Sequence, residues 1–304
     1  MASWTHLSYA ARHTLMRSRS LEAAVLRTLD HHLAVRYVAV DWSGAASIRT
    51  PKIWSAMVGD SGALVALRNR WTREDVVDWL IELLQADSAI IVGLDFAFSM
   101  PAWFVSSAGC VSALDFWDVV ATEGERWLDE CPFPFWGRTA HPKKWDFGGR
   151  AELRNTDLGG AKSVFQVFGA GAVGTASIRG MPYLRTLRAG GYHVWPFDPL
   201  TPPAVIEIYP RLLTKEVHKS QFAARQIYLA GESWLDTDDQ RNEGASSEDA
   251  FDALVSARRM WESRQELDES ASEGVESDHI EGRIWNPDPN RVKHAIAEER
   301  HWPA

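Results

Sequence analysis

The chain contains 304 residues, 45% of them hydrophobic, which is enough for one large domain or two modest ones around a buried core. No stretch approaches the roughly 18 uncharged apolar residues of a membrane span, and residues 1–20 lack the apolar centre of a secretory signal. Two cysteines, Cys110 and Cys131, are too few for a disulfide framework or a four-cysteine zinc site. We therefore expect no membrane partner and a reducing, cytoplasmic setting.

The formal net charge of −9 is unevenly distributed along the chain. Residues 231–281 hold 16 Asp and Glu against 4 Arg, which leaves 28 basic and 25 acidic residues for the rest of the sequence. Within that acidic stretch, residues 262–281 are polar, Ser-rich and aperiodic, and this pattern predicts a solvated connector. The overall charge therefore does not exclude a nucleic-acid partner, because most of it belongs to one segment.

The sequence divides into three parts. Residues 1–35 are basic and poor in acids, and their apolar positions follow a helical spacing, which predicts an N-terminal helical extension packed on the domain. An Arg-rich organelle transit peptide is the alternative interpretation of this extension. Residues 36–290 form the predicted main domain, with an insertion at about 102–168, and residues 291–304 form a C-terminal tail.

The first part of the main domain predicts three strands, a helix and a buried strand. In chain order these are a strand at 37–40, a hairpin of strands at 53–58 and 63–67, a helix that begins at Thr72, and a strand at 89–94. The helix start is marked by a Thr-x-x-Asp pattern that ends at Asp75. The first and last of these strands each end in an acid, Asp41 and Asp95.

The second part is less regular. The predicted insertion mixes an aromatic helical stretch with a loop rich in Pro, Gly and Lys. After it come a helical segment near 183–189, a strand at 193–197, an apolar strand at 204–209 and a helix at 248–261. Glu207 lies inside the apolar strand, and Asp249 and Asp252 stand one turn apart on the last helix.

This order of elements brings acidic side chains together. It places the strands that carry Asp41, Asp95 and Glu207 next to one another and parallel, so their carboxyl ends share one edge of the sheet. The last helix then brings Asp252, with Asp249 beside it, over the same edge. Four or five carboxylates at short distance raise one another's pKa, and hard divalent cations relieve the repulsion. Oxygen ligands favour Mg²⁺ or Mn²⁺ over zinc.

Five segments of the sequence resemble the family known as domain of unknown function 429, an uncharacterised family grouped with ribonuclease H-like nucleases. They are VAVDWSGA (38–45), GLDFAFSMP (93–101), VIEIYP (205–210), EDAFDALVSA (248–257) and EGRIW (281–285). The resemblance covers roughly residues 36–290. It implies a ribonuclease H-like α/β fold with a mixed five-stranded sheet of order 3-2-1-4-5, flanked by helices. It also matches the family's first-strand Asp, fourth-strand acid and last-helix Asp to Asp41, Asp95 and Asp252.

The candidate acids keep alternative roles. Glu207 matches the family's Glu-x-Tyr-Pro motif but is not part of the minimal acid set of ribonuclease H-like enzymes, so it either ligates a metal or positions a neighbour. Solvation alone explains a carboxylate inside an apolar strand poorly. Asp249 is either a fifth acid or a first-turn carboxylate favoured by the helix dipole. Asp41 and Asp95 also have simpler interpretations, as a turn residue and as a cap.

The resemblance implies a nuclease that hydrolyses phosphodiester bonds with two Mg²⁺ or Mn²⁺ ions about 4 Å apart, one activating water and the other stabilising the leaving oxygen. In this hypothesis Asp41 bridges the two ions. The predicted catalytic residues are Asp41, Asp95, Glu207 and Asp252, and the predicted metal ligands are the same four with Asp249.

Nucleic acid, either RNA or structured DNA, is the expected partner. Residues 136–150 interleave basic side chains with aromatic ones, a pattern that suits single-stranded or splayed nucleic acid. An exposed loop without a binding role is the alternative interpretation. The predicted substrate-binding residues are Arg138, Lys143, Lys144 and Arg150.

Two other classes of function remain open from the sequence. One is a non-catalytic adaptor that retains the fold. The other is an actin-like phosphotransferase or ATPase, whose first strand also ends in an Asp-containing turn resembling residues 41–44, but the sequence lacks a suitable second phosphate loop. Residues 169–174 satisfy G-x-G-x-x-G. However, a dinucleotide-binding loop is followed by an uninterrupted helix, and Gly180 and Pro182 predict that the helix after residues 169–174 is interrupted. Nucleotide binding by this loop is therefore not expected.

Overall fold

The computed structural model of the protein describes residues 35–46, 52–86, 89–143, 146–157, 160–214, 217–269 and 278–287. The chain divides between Val35 and Arg36, and apart from Val35 the described residues belong to the second unit. The predicted extension, again apart from Val35, and the predicted tail at 291–304 lie outside the described residues.

One mixed sheet organises the domain. Its strands are β1 (Arg36–Asp41), β2 (Ile53–Val58), β3 (Leu64–Trp71), β4 (Ile90–Leu94), β5 (His193–Val194) and β6 (Ala204–Glu207). Their order across the sheet is β3-β2-β1-β4-β6-β5. β2 runs antiparallel to β1 and β3, whereas β1, β4, β6 and β5 run parallel. The carboxyl ends of β1, β4 and β6 therefore meet at one edge of the sheet.

Helices flank this sheet. Within the described residues they are α1 (Arg73–Ala86), α2 (Ala102–Ser107), α3 (Ala113–Glu130), α4 (Val173–Ala189), α5 (Pro210–Leu213), α6 (Phe222–Ala230), α7 (Asp238–Ala245), α8 (Glu248–Glu262), α9 (Arg264–Glu269) and α10 (Asp278–Glu281). Thr72 and Asp75 exchange hydrogen bonds of 3.1 and 2.9 Å at the start of α1. Ser247 Oγ accepts a 2.9 Å hydrogen bond from Ala250 N at the start of α8. Both helix starts agree with the sequence predictions.

Different helices cover the two faces of the sheet. α8 packs on β1 and β2, and a Cβ built on Gly93 of β4 would lie 2.9 Å from Met260 Sδ of that helix. At the alternating positions, Val40 and Leu94 join the main apolar core, which includes residues of α3, such as Trp117, and of α4. Because successive side chains of a strand point to opposite faces, each strand contributes to both layers.

The mixed α/β architecture is confirmed, but the predicted strand count is wrong. The prediction has five strands in the order 3-2-1-4-5, whereas the sheet has six because β5 adds a strand at its outer edge; the strands that carry Asp41, Asp95 and Glu207 are adjacent and parallel as predicted. The predicted strand at 193–197 is limited to His193–Val194. It stops early because Pro196 has no N–H to donate to a strand ladder. Within the described ranges, no helix combines the length and the apolar character needed to cross a membrane.

Two further sequence predictions are corrected by packing. α4 is continuous, so the predicted interruption at Gly180 and Pro182 is wrong. A Cβ on Gly180 would lie 2.7 Å from the Phe96 ring, so glycine allows a close approach here, and packing of α4 on its neighbours outweighs low helix propensity. The predicted solvated connector includes the helix α9 and, in α10, the buried acids Asp278 and Glu281.

Candidate metal centre

Two acids end neighbouring strands at the carboxyl edge of the sheet. Val40 pairs with Leu94 in the parallel ladder of β1 and β4, and Asp95 N donates a 3.1 Å hydrogen bond to Val40 O. Asp41 and Asp95, the next residues of each chain segment, therefore lie side by side. Both are half-buried. The parallel pairing of β1 and β4 thus brings together two of the predicted ligands.

The helix α8 adds two more acids to this edge. Asp252 is buried, with 6% of its surface exposed, whereas Asp249 in the first turn of α8 is exposed. Both carboxylates raise the pKa of Asp41, so both lie within electrostatic range of the strand acids. Asp41, Asp95, Asp249 and Asp252 are called the acid cluster below.

The acid cluster is costly to ionise. Burial and the neighbouring carboxylates, Asp95 first among them, raise the pKa of Asp41 well above its ordinary value. Burial, followed by Asp252, raises the pKa of Asp95 to about 8. Like charges held together away from water favour the protonated form, and a bound cation favours the ionised form. The cluster is therefore a place where positive charge is stabilising.

A lysine that the sequence did not single out supplies some of this charge. Lys219 Nζ donates a hydrogen bond to Asp252 Oδ2, and Thr214 Oγ1 donates to Asp252 Oδ1 at 3.3 Å. The Lys219 ammonium lowers the pKa of Asp41 and of Asp95, against the larger effect of burial. Nothing in the local sequence signals this role, because Lys219 lies in a loop and its partner is 33 residues away.

Glu207 borders the acid cluster, because it lines the same cavity and its carboxylate raises the pKa of Asp95. It pairs with Leu94 in the ladder, one position before Asp95, so strand alternation directs its side chain toward the opposite face of the sheet. There Arg154 donates to both of its carboxylate oxygens, at 2.8 Å to Oε2 and 2.5 Å to Oε1. Phe98 N donates to the same Oε2 at 3.0 Å. Of the two roles left open by the sequence, these contacts favour positioning over metal ligation.

Arg154 connects Glu207 to two further parts of the chain. Its side chain, with 1% of its surface exposed, also pairs with Asp157 at 2.7 Å and donates to Glu281 O at 3.0 Å. The Glu281 carboxylate accepts from Ala102 N at 2.8 Å and from Asn155 N at 2.5 Å. Charge-assisted hydrogen bonds of this kind are strong when buried. The Arg154 network therefore fixes α2, the 154–157 loop and α10 around the end of β6.

A cavity of about 500 Å³ opens beside these groups. Three members of the acid cluster line it, together with the Arg154 network and two exposed lysines. Its charged lining residues are Asp41, Asp95, Asp249, Glu207, Arg154, Asp157, Lys52 and Lys162. The cavity therefore offers carboxylates and ammonium groups to the same ligand.

The residues predicted to bind substrate have other contacts. Arg138 Nη2 donates to Leu128 O at 2.7 Å, and Lys143 forms a 2.8 Å ion pair with Glu152. The Arg150 guanidinium lies 4.9 Å from the centre of the Trp103 ring. None of these three lines the cavity among the described residues, and Lys144 lies outside those residues.

The G-x-G-x-x-G segment also reaches the cavity, a placement that the sequence pattern did not predict. Gly169 and Gly171 line the cavity just before α4. The backbone N–H groups of Ala172 and Gly174 donate to Gly169 O and Gln166 O, so they already have partners within the chain. Gly174 is required by packing, because a Cβ there would lie 2.2 Å from Val164 O.

Fold and site together define a mixed α/β protein with an acid cluster at the carboxyl edge of its parallel strands. Comparison of the sequence with protein-family models and curated proteins, and with solved structures, finds no match. Assignment of a function therefore depends on the geometry of the site.

The acid cluster suits a hard divalent cation by chemistry but is not arranged as a ready ligand set. All its donors are carboxylate oxygens, which Mg²⁺ and Mn²⁺ prefer. In the part of the chain that the structure describes, no three His, Cys, Asp or Glu side chains are grouped closely enough to hold a metal ion. Asp252 is, in addition, paired with Lys219.

Proposed function

We propose that this protein is a metal-dependent nuclease with a ribonuclease H-like fold, which hydrolyses phosphodiester bonds with Mg²⁺ or Mn²⁺. The observation that carries the proposal is the convergence of Asp41, Asp95 and Asp252 beside an open cavity. Ligands of open α/β sheets bind at the carboxyl ends of the strands. A strand order that begins β3-β2-β1-β4, with β2 antiparallel, supports the same assignment.

The proposed role of each acidic residue follows from its position in the site. Asp41 and Asp95 line the cavity and lie on adjacent strands, so they are the proposed metal ligands, with the exposed Asp249 at the rim. A divalent ion held by these acids would lower the pKa of an attacking water and stabilise charge on the leaving oxygen. Glu207 and Arg154 hold the loop after β4 through Phe98 N and thereby position Asp95.

The cavity offers further substrate contacts that are not among the predicted substrate-binding residues. Lys52 and Lys162 line the cavity, and both are exposed. Ammonium groups bind phosphate as point charges without reading the base sequence. We assign them to the substrate backbone on either side of the bond that is cut.

Cleavage of labelled oligonucleotides tests the proposal. Purified wild-type protein is expected to cut RNA or DNA strands in Mg²⁺ or Mn²⁺ and not in a chelator. Asp41→Asn is expected to abolish cleavage, whereas Asp129→Asn, which changes an exposed carboxylate on α3, is the matched control and keeps it. Equal cleavage by the Asp41→Asn variant would identify a contaminating nuclease and contradict the assignment.

The other two classes give distinct results in the same preparations. An adaptor binds nucleic acid or a protein but cuts nothing under any metal condition. A phosphotransferase or ATPase is stabilised by ATP and releases phosphate, and Gly169 and Gly171 in the cavity wall are the feature that favours it. Thermal unfolding with and without ATP therefore accompanies the cleavage assay.

A further inference from the structure

Two arginines hold the turn that follows β1. Arg73 of α1 donates hydrogen bonds of 3.1 Å to both Ser43 O and Ala45 O. Arg179 of α4 donates a 2.6 Å hydrogen bond to Gly44 O, the carbonyl between them. Three successive carbonyl oxygens of this turn therefore accept hydrogen bonds from the guanidinium groups of two different helices.

The arginines determine where the N–H groups of the turn point. In a trans peptide the C=O and the N–H point in opposite directions. Of the described residues, Ser43 and Gly44 line the cavity, whereas the two arginines do not. The carbonyl groups therefore face the arginines, and the following N–H groups face the cavity. Ala45 N donates to Ser43 Oγ at 3.2 Å, but Gly44 N has no acceptor in the part of the chain that the structure describes.

A buried donor on the same wall also lacks a partner. Trp42 lines the cavity, and only 4% of its surface is exposed. Its indole Nε1 is buried and has no hydrogen-bond partner among the described residues. A buried donor without an acceptor is costly, and nearly all such groups in folded proteins are paired. A ligand that brings an acceptor into the cavity would satisfy this donor.

The charges around this wall favour an anionic ligand. Lys52 and Lys162 line the cavity and are exposed. A Cβ built on Gly171 would lie 3.7 Å from Lys162 Cε, so this lysine lies beside the segment that leads into α4. α4 itself begins at Val173 on the cavity wall, with no acid in its first turn and no side-chain cap. Helix N-termini and backbone N–H groups of turns both attract anions.

We propose that the turn at residues 43–45 is a phosphate-binding subsite of the cavity, in which the Gly44 N–H donates to a phosphate oxygen and the Trp42 indole is a second donor. Arg73 and Arg179 are its positioning residues, because they fix the turn without lining the cavity. The assignment to a phosphate of a nucleic-acid strand rests on the proposed function. Phosphate binding itself requires neither a metal ion nor cleavage.

Titration of the full chain with inorganic phosphate, followed by NMR in a chelator at constant pH, tests the inference. We expect the Gly44 amide and Trp42 indole N–H resonances to shift and to reach saturation. Sodium chloride at the same ionic strength is expected to leave both resonances in place. Equal shifts with chloride, or phosphate-induced shifts at the exposed lysines alone, would overturn the inference.

Arg179→Met tests the positioning role, because it removes the donor to Gly44 O and no group that lines the cavity. Phosphate affinity is expected to fall about tenfold, the size of one charge-assisted hydrogen bond. Arg185→Met is the matched control, because Arg185 lies on the same helix and pairs with Asp118 of α3 at 2.7 Å. Arg179 pairs with Glu125 of α3 at the same distance, but of the two arginines only Arg179 reaches the turn.

The Arg185→Met variant is expected to bind phosphate within about twofold of wild type, since a distant exposed charge is screened. Equal losses in the two variants would overturn the positioning role. Should Arg179→Met fail to fold, as judged by its thermal transition, Arg73→Met removes the other donor and is expected to show the same loss. The wild-type spectra alone still decide whether phosphate reaches the turn.

The same preparations separate this inference from the proposed function. Phosphate binding at the turn by a protein that cuts no strand would support the subsite and overturn the nuclease. Strand cleavage by a protein whose Gly44 amide does not respond to phosphate would support the nuclease and overturn the subsite.

Discussion

At the scale of single residues, the centre consists of carboxylates whose ionisation is opposed by their surroundings. Asp95 illustrates this, since burial and Asp252 raise its pKa to about 8 from an ordinary value of 3.8. Between these two pH values the folded protein holds a proton that the unfolded chain has released. The free energy of unfolding therefore falls as the pH rises across this window, by up to about 1.4 kcal/mol per pH unit for one proton.

This linkage gives a pH prediction that does not depend on activity. In a chelator, urea unfolding between pH 5 and 8 is expected to show decreasing stability with rising pH. Asp95→Asn is expected to have a shallower dependence and to be more stable than wild type at pH 8 by about 1–2 kcal/mol. A slope unchanged by the substitution would show that Asp95 is ionised throughout this range.

The Glu207–Arg154 pair gives a second prediction at this scale. Arg154→Met leaves the buried Glu207 and Asp157 carboxylates without their partner and is expected to lower the free energy of unfolding by about 3–5 kcal/mol. Adding Glu207→Gln to that variant removes one of the uncompensated charges and is expected to restore part of the loss. Chemical denaturation of the single and double variants measures the coupling, and strictly additive losses would contradict a direct ion pair.

The acids could be predicted from sequence, whereas their cationic partners could not. Asp41 and Asp95 follow short apolar runs, and parallel strands bring such positions together by rule. Lys219 and Arg154 lie in loops, where no periodicity applies, and their partners are 33 and 53 residues away. Such contacts depend on the tertiary arrangement of loops, which local patterns do not encode.

At the scale of elements, apolar periodicity and capping patterns located most of the helices and strands near the site. They failed where packing overrides local preference. α4 continues through Gly180 and Pro182 because it packs on α3 and on Phe96. Side chains alternate along β6, but the face that Glu207 occupies depends on the pairing register of β6 with β4. That register is set by the whole sheet and cannot be predicted from the sequence of β6 alone.

The contact between β4 and α8 gives a prediction that links an element to the site. A Cβ at Gly93 would lie 2.7 Å from Ile208 Cγ2 and 2.9 Å from Met260 Sδ. Gly93→Ala is therefore expected to push α8, with its Asp252, away from the sheet and to cost about 1–3 kcal/mol of stability. Thermal or chemical unfolding measures the loss.

Gly231→Ala is the matched control for this substitution. A Cβ there would lie 3.5 Å from Tyr228 O, which is ordinary contact, and the backbone φ of −80° suits alanine. Its stability is expected to stay within about 0.5 kcal/mol of wild type. A Gly93→Ala variant as stable as this control would contradict the close packing of α8 on β4.

At the scale of the whole molecule, the net charge of −9 gives no long-range attraction for a polyanion. In the proposed nuclease, nucleic acid would therefore be held locally, by Lys52, Lys162 and the metal centre. Two lysine contacts to a single strand predict a shallow dependence of binding on salt, with a slope of about −1.4 for log K against log salt concentration. Fluorescence anisotropy of a labelled oligonucleotide in a chelator measures it.

Lys52→Met is expected to reduce the magnitude of this slope by about 0.7, because one phosphate contact is lost. A slope steeper than about −4 would instead indicate an extended basic surface outside the cavity. Such a result would favour the predicted substrate-binding residues Arg138, Lys143, Lys144 and Arg150 as phosphate contacts.

The central claim is that the acid cluster is a metal centre, and a crystal structure of the protein grown with Mn²⁺ tests it most directly. We expect an anomalous difference peak within bonding distance of carboxylate oxygens of Asp41 and Asp95. An anomalous map without a peak at these carboxylates, at Mn²⁺ concentrations that support cleavage, would contradict the account.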